Sequence, residues 1–216
     1  MNARDLLQSE NLRRQLGEAP RPGLFLLDVS TTQFVVVELV LLKALLGEGN
    51  PGLFISVDRP HRYMTHLLDM HKIDHDGLQF LNVMSRFSQT NGGSSSKVDF
   101  LDGPGHIDEL PKALRDRLAT ERGLELSKFQ FALIDNISIL LTYNSPQSVE
   151  TFLKDFVHLL SGNMAVTLVI DRQKYPNLYH TALSMGGREL RLEKHDGRPP
   201  GSGETRTERP ITQGVI

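Results

Sequence analysis

Short apolar runs alternate with helical patterns along most of the chain, and this alternation is the feature that most constrains its fold. The first unit, GLFLLDVSTTQFVVVELVLLKALL at residues 23–46, is a strand (GLFLL), a short polar turn and a helix over Thr31–Leu46. Strands that are apolar throughout are buried on both faces, which is typical of parallel strands joined by helices. The pattern predicts an α/β fold with a mostly parallel central sheet and helices on both faces.

The same unit recurs towards the C-terminus. Further strands are predicted in the segments GLFISV, LQFLNV, VDFL, FQFALI, AVTLVI and RELRLE. Helical patterns lie between them at residues 60–71, 106–122, 145–160 and 175–183. The polar segment SQTNGGSSSK interrupts the alternation. We interpret it as a solvated loop, with a lid or a partner-binding loop as the alternative.

Composition divides the chain into three parts. Residues 3–16 carry leucines among charged residues, which predicts an amphipathic helix, and the segment GEAPRPG follows as a linker. We assign residues 1–22 to this helix and linker, 23–194 to one α/β domain and 195–216 to a disordered tail. The tail has few apolar residues whose burial would offset the entropy of ordering it.

The charge and residue content exclude several functions. A net charge of −2 gives no basic field for nucleic acid or an anionic membrane, and basic and aromatic residues are not interleaved as single-strand DNA binding requires. The chain has no cysteine, so disulfides, thiolate catalysis and cysteine-ligated metals are excluded. The longest apolar run, Phe34–Leu46, is too short to span a bilayer. We expect a soluble cytoplasmic protein.

The helix within Thr31–Leu46 has almost no polar face, because Glu38 and Lys43 alone interrupt the apolar run Phe34–Leu46. A helix that is apolar all round is expected to be buried all round. One side would lie on the sheet. The other would be covered by the N-terminal helix, by another subunit, or by both.

Four of the predicted strands end in aspartate, and a parallel sheet would bring these side chains to one edge. They are Asp28, Asp58, Asp135 and Asp171. Each aspartate has two interpretations: a cap for the following helix, or a ligand in a divalent-metal or nucleotide–magnesium site. Arg59 and Arg172 follow two of them directly and are expected to neutralise the cluster or to hold an anion.

The first turn, at residues 28–33, lacks the features of a phosphate-binding loop. Such loops use glycines to converge backbone N–H groups on the phosphate and a lysine to add charge, and this turn has neither. Lys43 lies roughly 16 Å farther along the helix, and Asp28 places negative charge where a phosphate would sit. Ser30, Thr31 and Thr32 are therefore read as helix caps, with a degenerate nucleotide-binding loop as the alternative.

The segment FALIDNISILLTYNSPQSVETFLKDFVHLL resembles the KaiC-like branch of the RecA ATPase superfamily, especially its archaeal members. GLFISVDRP, FLNVMSR, VDFLDGPGHIDEL and AVTLVID follow in the order of that family, so the resemblance covers roughly residues 23–193. It implies a RecA-like three-layer sandwich in which the strand before Asp171 lies between those before Asp28 and Asp135. It also implies that Asp135 matches the magnesium-site aspartate and that Asp58 stands at the catalytic-acid position.

Other candidate sites are weaker. The segment at residues 61–75 contains four histidines, His61, His66, His71 and His75. Only the last two have helical i, i+4 spacing, so surface histidines are favoured over a metal site. The basic residues at 112–122 alternate with acidic ones, which indicates a solvated helix face.

Two functional hypotheses follow. The first is a non-catalytic RecA/KaiC-like domain that binds no cofactor and acts as a scaffold or regulatory partner, in a homo-oligomer or with a paralogue. Superfamily members without ATPase motifs, such as the Elongator accessory subunits, act in this way, and the N-terminal helix is the expected contact. The alternative is an ATP- and magnesium-dependent ATPase with an atypical site along the four aspartates.

Overall fold

A computed structural model of the chain describes residues 1–17, 20–47, 49–57, 59–82, 98–99, 104–112, 115 and 126–193. These residues contain the strands β1 (Gly23–Asp28), β2 (Gly52–Ser56), β3 (Leu78–Asn82), β4 (Val98–Asp99), β5 (Phe131–Ile134), β6 (Ala165–Ile170) and β7 (Arg188–Leu190). The strands form one sheet in the order β4-β3-β2-β5-β6-β1-β7, and every neighbouring pair is parallel. The predicted parallel sheet is confirmed.

Helices cover both faces of this sheet. They are α1 (Ala3–Leu16), α2 (Phe34–Leu46), α3 (His61–Met70), α4 (Leu140–Tyr143), α5 (Pro146–Leu160) and α6 (Pro176–Ser184), and short 3-10 turns precede α2 and α4. The predicted helix at Thr31–Leu46 thus begins as a 3-10 turn, Thr31–Gln33, and becomes α-helical at Phe34.

Two hydrophobic cores lie on opposite faces of the sheet because side chains alternate along each strand. In β1, Leu24 and Leu26 belong to the core that contains α5 and α6, whereas Phe25 and Leu27 belong to the core that contains α1, α2 and α3. The layers are therefore helix, sheet and helix, as the RecA-like architecture requires.

The strand order sets the position of the functional edge. β6 lies between β1 and β5, which is the arrangement implied by the resemblance. Asp28 is opposite Ile170, and Ile134 is opposite Leu168, so the carboxyl ends of these three strands lie side by side.

Helix α2 is more exposed than the sequence predicts. The sheet covers one side, and α1 covers part of the other, with Leu12 and Leu16 in the same core as Leu41. Val36 nevertheless keeps 53% of its surface exposed. Within the chain Val36 is left uncovered because α1 leaves an open groove beside the first turns of α2, and coverage of this residue by another subunit stays a prediction.

Two glutamines fasten α1 to the segment that follows β7. The Gln15 side chain donates to the carbonyl of Arg191 (2.7 Å) and accepts from its N–H (2.9 Å). Gln8 makes the same pair of bonds with the backbone of Glu193, at 2.7 and 3.0 Å. These side-chain amides take the place of a further strand at this end of the sheet.

Some predictions fall outside the described residues. They concern the loop at 88–97, the tail at 195–216 and the end of the predicted helix at 106–122, of which residues 110–112 are helical. Within the described residues, no helix combines the length and the apolar character needed to cross a bilayer.

Candidate functional site

The aspartates of the strand ends meet at one edge of the sheet. Asp135 and Asp171 follow β5 and β6 directly, and Asp28 is the last residue of β1. Asp58, the residue at the predicted catalytic-acid position, lies outside the described residues. The three described aspartates have different partners and separate into two clusters.

The first, which we name the buried cluster, consists of Glu38, Arg59 and Asp135. Glu38 is in α2, Arg59 follows β2 and Asp135 follows β5. Arg59 Nη1 donates to Asp135 Oδ1 at 3.0 Å and also to Glu38 Oε2. Both carboxyl side chains are 0% exposed and Arg59 is 14% exposed, so one guanidinium joins two carboxyl groups away from water.

Burial raises the pKa of Glu38 well above its ordinary value, and the neighbouring Asp135 carboxyl raises it further by charge repulsion and hydrogen bonding. The attraction of Arg59 opposes this shift but does not cancel it. A protonated Glu38 leaves one guanidinium and one carboxylate, so the cluster becomes neutral. That state avoids the large free-energy cost of burying an uncompensated charge.

The second group, which we name the turn cluster, consists of Asp28, Thr31, Asp171, Arg172 and Lys174. Asp171 Oδ2 accepts from the backbone N–H of Thr31 at 2.9 Å, and Oδ1 accepts from that of Lys174 at 3.2 Å. Asp28 Oδ1 accepts from the N–H of Arg172 at 3.0 Å. Lys174 Nζ donates to Thr31 Oγ1 at 2.6 Å, so each of the two loops donates a hydrogen bond to the other.

Asp171 titrates in the opposite direction to Glu38. Burial alone would raise its pKa, but the N–H groups of Thr31 and Lys174 and the charge of Lys174 outweigh burial and lower it. Asp171 is therefore an ionised carboxylate at neutral pH. It supplies a fixed anion at the turn that precedes α2.

The sequence-based assignment of helix caps was wrong for this turn. Neither the 3-10 turn nor α2 has a side-chain cap, and Ser30 Oγ lies 3.1 Å from Thr32 Oγ1 instead. The acceptor for Thr31 comes from Asp171, which the parallel sheet brings next to the turn. A carboxylate supplied by tertiary structure thus replaces a local cap.

For the three described aspartates, the interpretation as caps for their own following helices was also wrong. Asp28 binds the loop after β6, and Asp135 binds Arg59. Asp171 does bind the loop that follows it, through the N–H of Lys174, but α6 begins later and has no side-chain cap.

Sequence reasoning missed Glu38 and Lys174. Glu38 was read only as an interruption of an apolar run, and Lys174 was not considered. The available signal was the position of Glu38: an acid in a helix without a polar face must be buried and therefore needs a partner. The expected neutralising role of Arg59 is consistent with its two carboxyl partners.

The histidines of residues 61–75 do not converge. His75 Nε2 lies 3.0 Å from Asp69 Oδ1, and His71 Nδ1 lies 3.0 Å from the Met1 amino group. Among the described residues, no group of three or more histidine, aspartate or glutamate side chains is arranged to hold a metal ion.

The fold is similar to that of a known structure, whereas the sequence matches no family model and no curated protein. The flagellar accessory protein FlaH from Methanocaldococcus jannaschii superimposes with a TM-score of 0.52. The match covers 87% of this chain and 80% of FlaH at 12% sequence identity. The chain has a RecA-like fold. We use this likeness for the architecture alone, because the identity is too low to transfer a function.

Proposed function

We propose that the chain is a non-catalytic RecA-like domain that acts in the cytoplasm as a scaffold or regulatory partner. One observation carries the proposal: the Asp171 carboxylate accepts the Thr31 N–H, at the turn where proteins of this architecture would hold a phosphate. The chain supplies its own anion there.

Phosphate binding at a helix start needs several converging N–H groups and a cation. In the turn cluster, the Thr31 N–H binds Asp171 and the Lys174 ammonium binds the Thr31 hydroxyl. A nucleotide phosphate would displace both and would face the charges of Asp28 and Asp171. Each of these effects disfavours binding.

The buried cluster supports the same conclusion. In a magnesium-dependent site the aspartate at position 135 would face the metal, but here Arg59 lies against that carboxylate. The guanidinium provides the positive charge that a bound cation would provide. The proposed function accordingly includes no cofactor.

Assembly is the proposed mode of action, with a second copy or a paralogue as the partner. The support comes from α1, where Leu6 and Leu7 are 47% and 61% exposed. Their burial against a partner would contribute about 25 cal/mol per Å2 of apolar surface before ordering costs. Nucleic acid and membrane partners are not part of the proposal.

The nucleotide-binding half of the proposal is tested by calorimetric titration with ATP and magnesium, together with an ATPase assay. We expect no saturable heat and no turnover above background. Saturable binding, or turnover that disappears in Asp135→Asn, would overturn the proposal in favour of the atypical ATPase.

The assembly half is tested by light scattering over a range of protein concentrations. We expect an oligomer that dissociates in the double variant Leu6→Glu/Leu7→Glu. Met70→Glu is the matched control, because Met70 is a similarly exposed apolar side chain (58%) on another helix, α3. A wild-type protein that is monomeric at every concentration would contradict assembly through self-association.

A further inference from the structure

A groove of about 820 Å3 opens between α1, the first turns of α2 and the segment after β7. It lies next to the turn cluster, since Asp28 and Arg172 of that cluster also line the groove. A groove of this volume, at the carboxyl edge of a parallel sheet, has the size and position typical of small-molecule sites.

The groove has an apolar floor. Val36, Val37 and Val40 line it from α2, and Leu190 and Leu192 line it from the opposite side. Val36 is 53% exposed although the rest of α2 is mostly buried. An apolar ligand body lying on this floor would remove the exposed valine surface from water.

Every acidic side chain that lines the groove in the described part of the chain accepts a hydrogen bond from the protein. Asp5 Oδ2 accepts from the N–H of Asn2, and Asp28 accepts from the N–H of Arg172. Glu189 Oε1 accepts from the Tyr179 hydroxyl at 2.8 Å.

The remaining acid, Glu193, has two partners. Its Oε1 accepts from the Asn11 side chain and lies 4.0 Å from Arg14 Nη2. Each described carboxylate of the groove is thus hydrogen-bonded within the chain.

The arginines of the groove differ in this respect. The Arg172 guanidinium lies 3.7 Å from Glu189 and 5.3 Å from the centre of the Tyr179 ring. Arg4 and Arg191 also line the groove, and their guanidinium groups form no hydrogen bond or ion pair with the part of the chain that the structure describes. Arg4 and Arg191 are therefore the described cations of the groove that no carboxylate pairs.

An extended peptide has little to bind here. Strand addition needs free backbone groups at the sheet edge, but the backbones of Arg191 and Glu193 are paired with Gln15 and Gln8. What the groove offers is apolar surface and guanidinium groups. This combination favours a small molecule over a peptide chain.

We propose that this groove is a binding site for a small amphiphilic anion, with its apolar body on the valine floor and its anionic head at Arg4 and Arg191. The inference goes beyond the proposed scaffold function. Because α1 forms one wall, an occupied groove would hold α1 more firmly on the domain and would thereby couple ligand binding to the exposed surface of that helix.

The test uses anilinonaphthalene sulfonate, which joins an apolar aromatic body to an anionic head, and the full-length chain. We expect a saturable fluorescence increase with the wild type. In the double variant Arg4→Gln/Arg191→Gln the affinity should fall roughly tenfold, the loss expected when a charged head group loses its two cationic partners. Arg62→Gln/Arg188→Gln removes the same charge from exposed arginines outside the groove and should bind like the wild type.

Val36→Asp tests the floor, since it puts a negative charge on an exposed position of the groove and should abolish the fluorescence increase. Near-ultraviolet circular dichroism of each variant separates a lost site from a lost fold. Wild-type affinity in the Arg4/Arg191 double variant would overturn the proposal, as would the absence of any saturable signal in the wild type.

Competition experiments identify the class of ligand that the groove binds. Dodecanoate should displace the probe, whereas dodecyltrimethylammonium, with a similar chain and the opposite charge, should not. Equal displacement by both would overturn the proposal, because the groove would not discriminate between anionic and cationic head groups. Displacement by adenosine monophosphate but not by dodecanoate would also overturn it and would indicate a nucleotide site.

Discussion

The buried cluster and the turn cluster lie at the same edge of one sheet but manage negative charge in opposite ways. The buried cluster has two carboxyl groups and one guanidinium, and Glu38 holds a proton more tightly than an ordinary glutamate. The turn cluster keeps Asp171 ionised by means of backbone N–H groups and a lysine. Proximity along a strand edge therefore does not decide the charge state of a carboxyl group. Its immediate donors and its distance from water decide it.

The difference also concerns stability. Removal of one partner from the buried cluster leaves charge that water cannot reach, whereas Arg172 and Lys174 in the turn cluster are exposed. Removal of a partner from the buried cluster is expected to cost much stability, and removal of an exposed partner from the turn cluster is expected to cost little. The four predictions that follow test this contrast in order of decreasing effect.

The largest effect is expected for Arg59→Ala. It removes the only described cation between Glu38 and Asp135, and breaking a buried ion pair typically costs about 3–5 kcal/mol. Urea unfolding at pH 7 measures the loss, and the melting temperature should fall by roughly 10 °C for a domain of this size. Arg62→Ala is the control, because Arg62 is exposed on α3 and should change stability little. A loss as small as that of the control would show that the cluster contributes no stability.

The second effect is a pH dependence that Glu38→Gln removes. Because the folded pKa of Glu38 is raised, the folded protein keeps a proton that the unfolded chain has lost above pH 4.5 or so. Wild-type stability should therefore fall as pH rises from about 4.5 towards that folded pKa, by at most about 1.4 kcal/mol per pH unit. Unfolding free energies at pH 5 and pH 8 measure the slope. The same slope in wild type and variant would mean that Glu38 titrates normally.

Asp171→Ala is expected to have a smaller effect on stability, and the contribution of Asp171 depends on pH in the opposite direction to that of Glu38. The variant loses the acceptor for the N–H groups of Thr31 and Lys174, which should cost about 1 kcal/mol at neutral pH. Because the folded pKa of Asp171 is lowered, its contribution is present above the ordinary value of 3.8 and is lost as pH falls through the folded pKa. Wild type and variant should therefore converge in acid. A gap that widens in acid would contradict the assignment.

The smallest effect is expected for Lys174→Ala. Its ammonium group is exposed and donates one hydrogen bond to the Thr31 hydroxyl, so the change in stability should stay within about 0.5 kcal/mol. Equilibrium unfolding at low and high salt measures it. A loss comparable to that of Arg59→Ala would erase the distinction between the two clusters.

The architecture could be predicted from sequence because it follows from repeated local patterns. Apolar runs such as AVTLVI lie between helical patterns, and the predicted strand over these letters coincides with β6. The position of Asp28, Asp135 and Asp171 at one edge followed from the parallel arrangement alone. That residues 28–33 contain neither glycine nor lysine was visible without any structure.

The partners of the site residues could not be predicted in the same way. Thr31 is bonded to Asp171, which lies 140 positions later, and no local sequence signal indicates that contact. Glu38, Arg59 and Asp135 come from a helix, a loop and a strand end, and only the strand order brings them together. The groove was likewise invisible, because it depends on how α1 crosses α2 rather than on the amphipathic pattern of either helix.

The glutamine pairs of α1 bear on how the chain folds during synthesis. Gln8 leaves the ribosome before its backbone partner at Glu193, which lies 185 positions later in the chain. The hydrogen bonds between α1 and the backbone of Glu193 therefore cannot form until nearly the whole domain has been synthesised. Contacts of such large sequence separation slow folding and prolong the exposure of intermediates. The apolar surface of α2 that α1 covers is thus exposed for longer in a nascent chain.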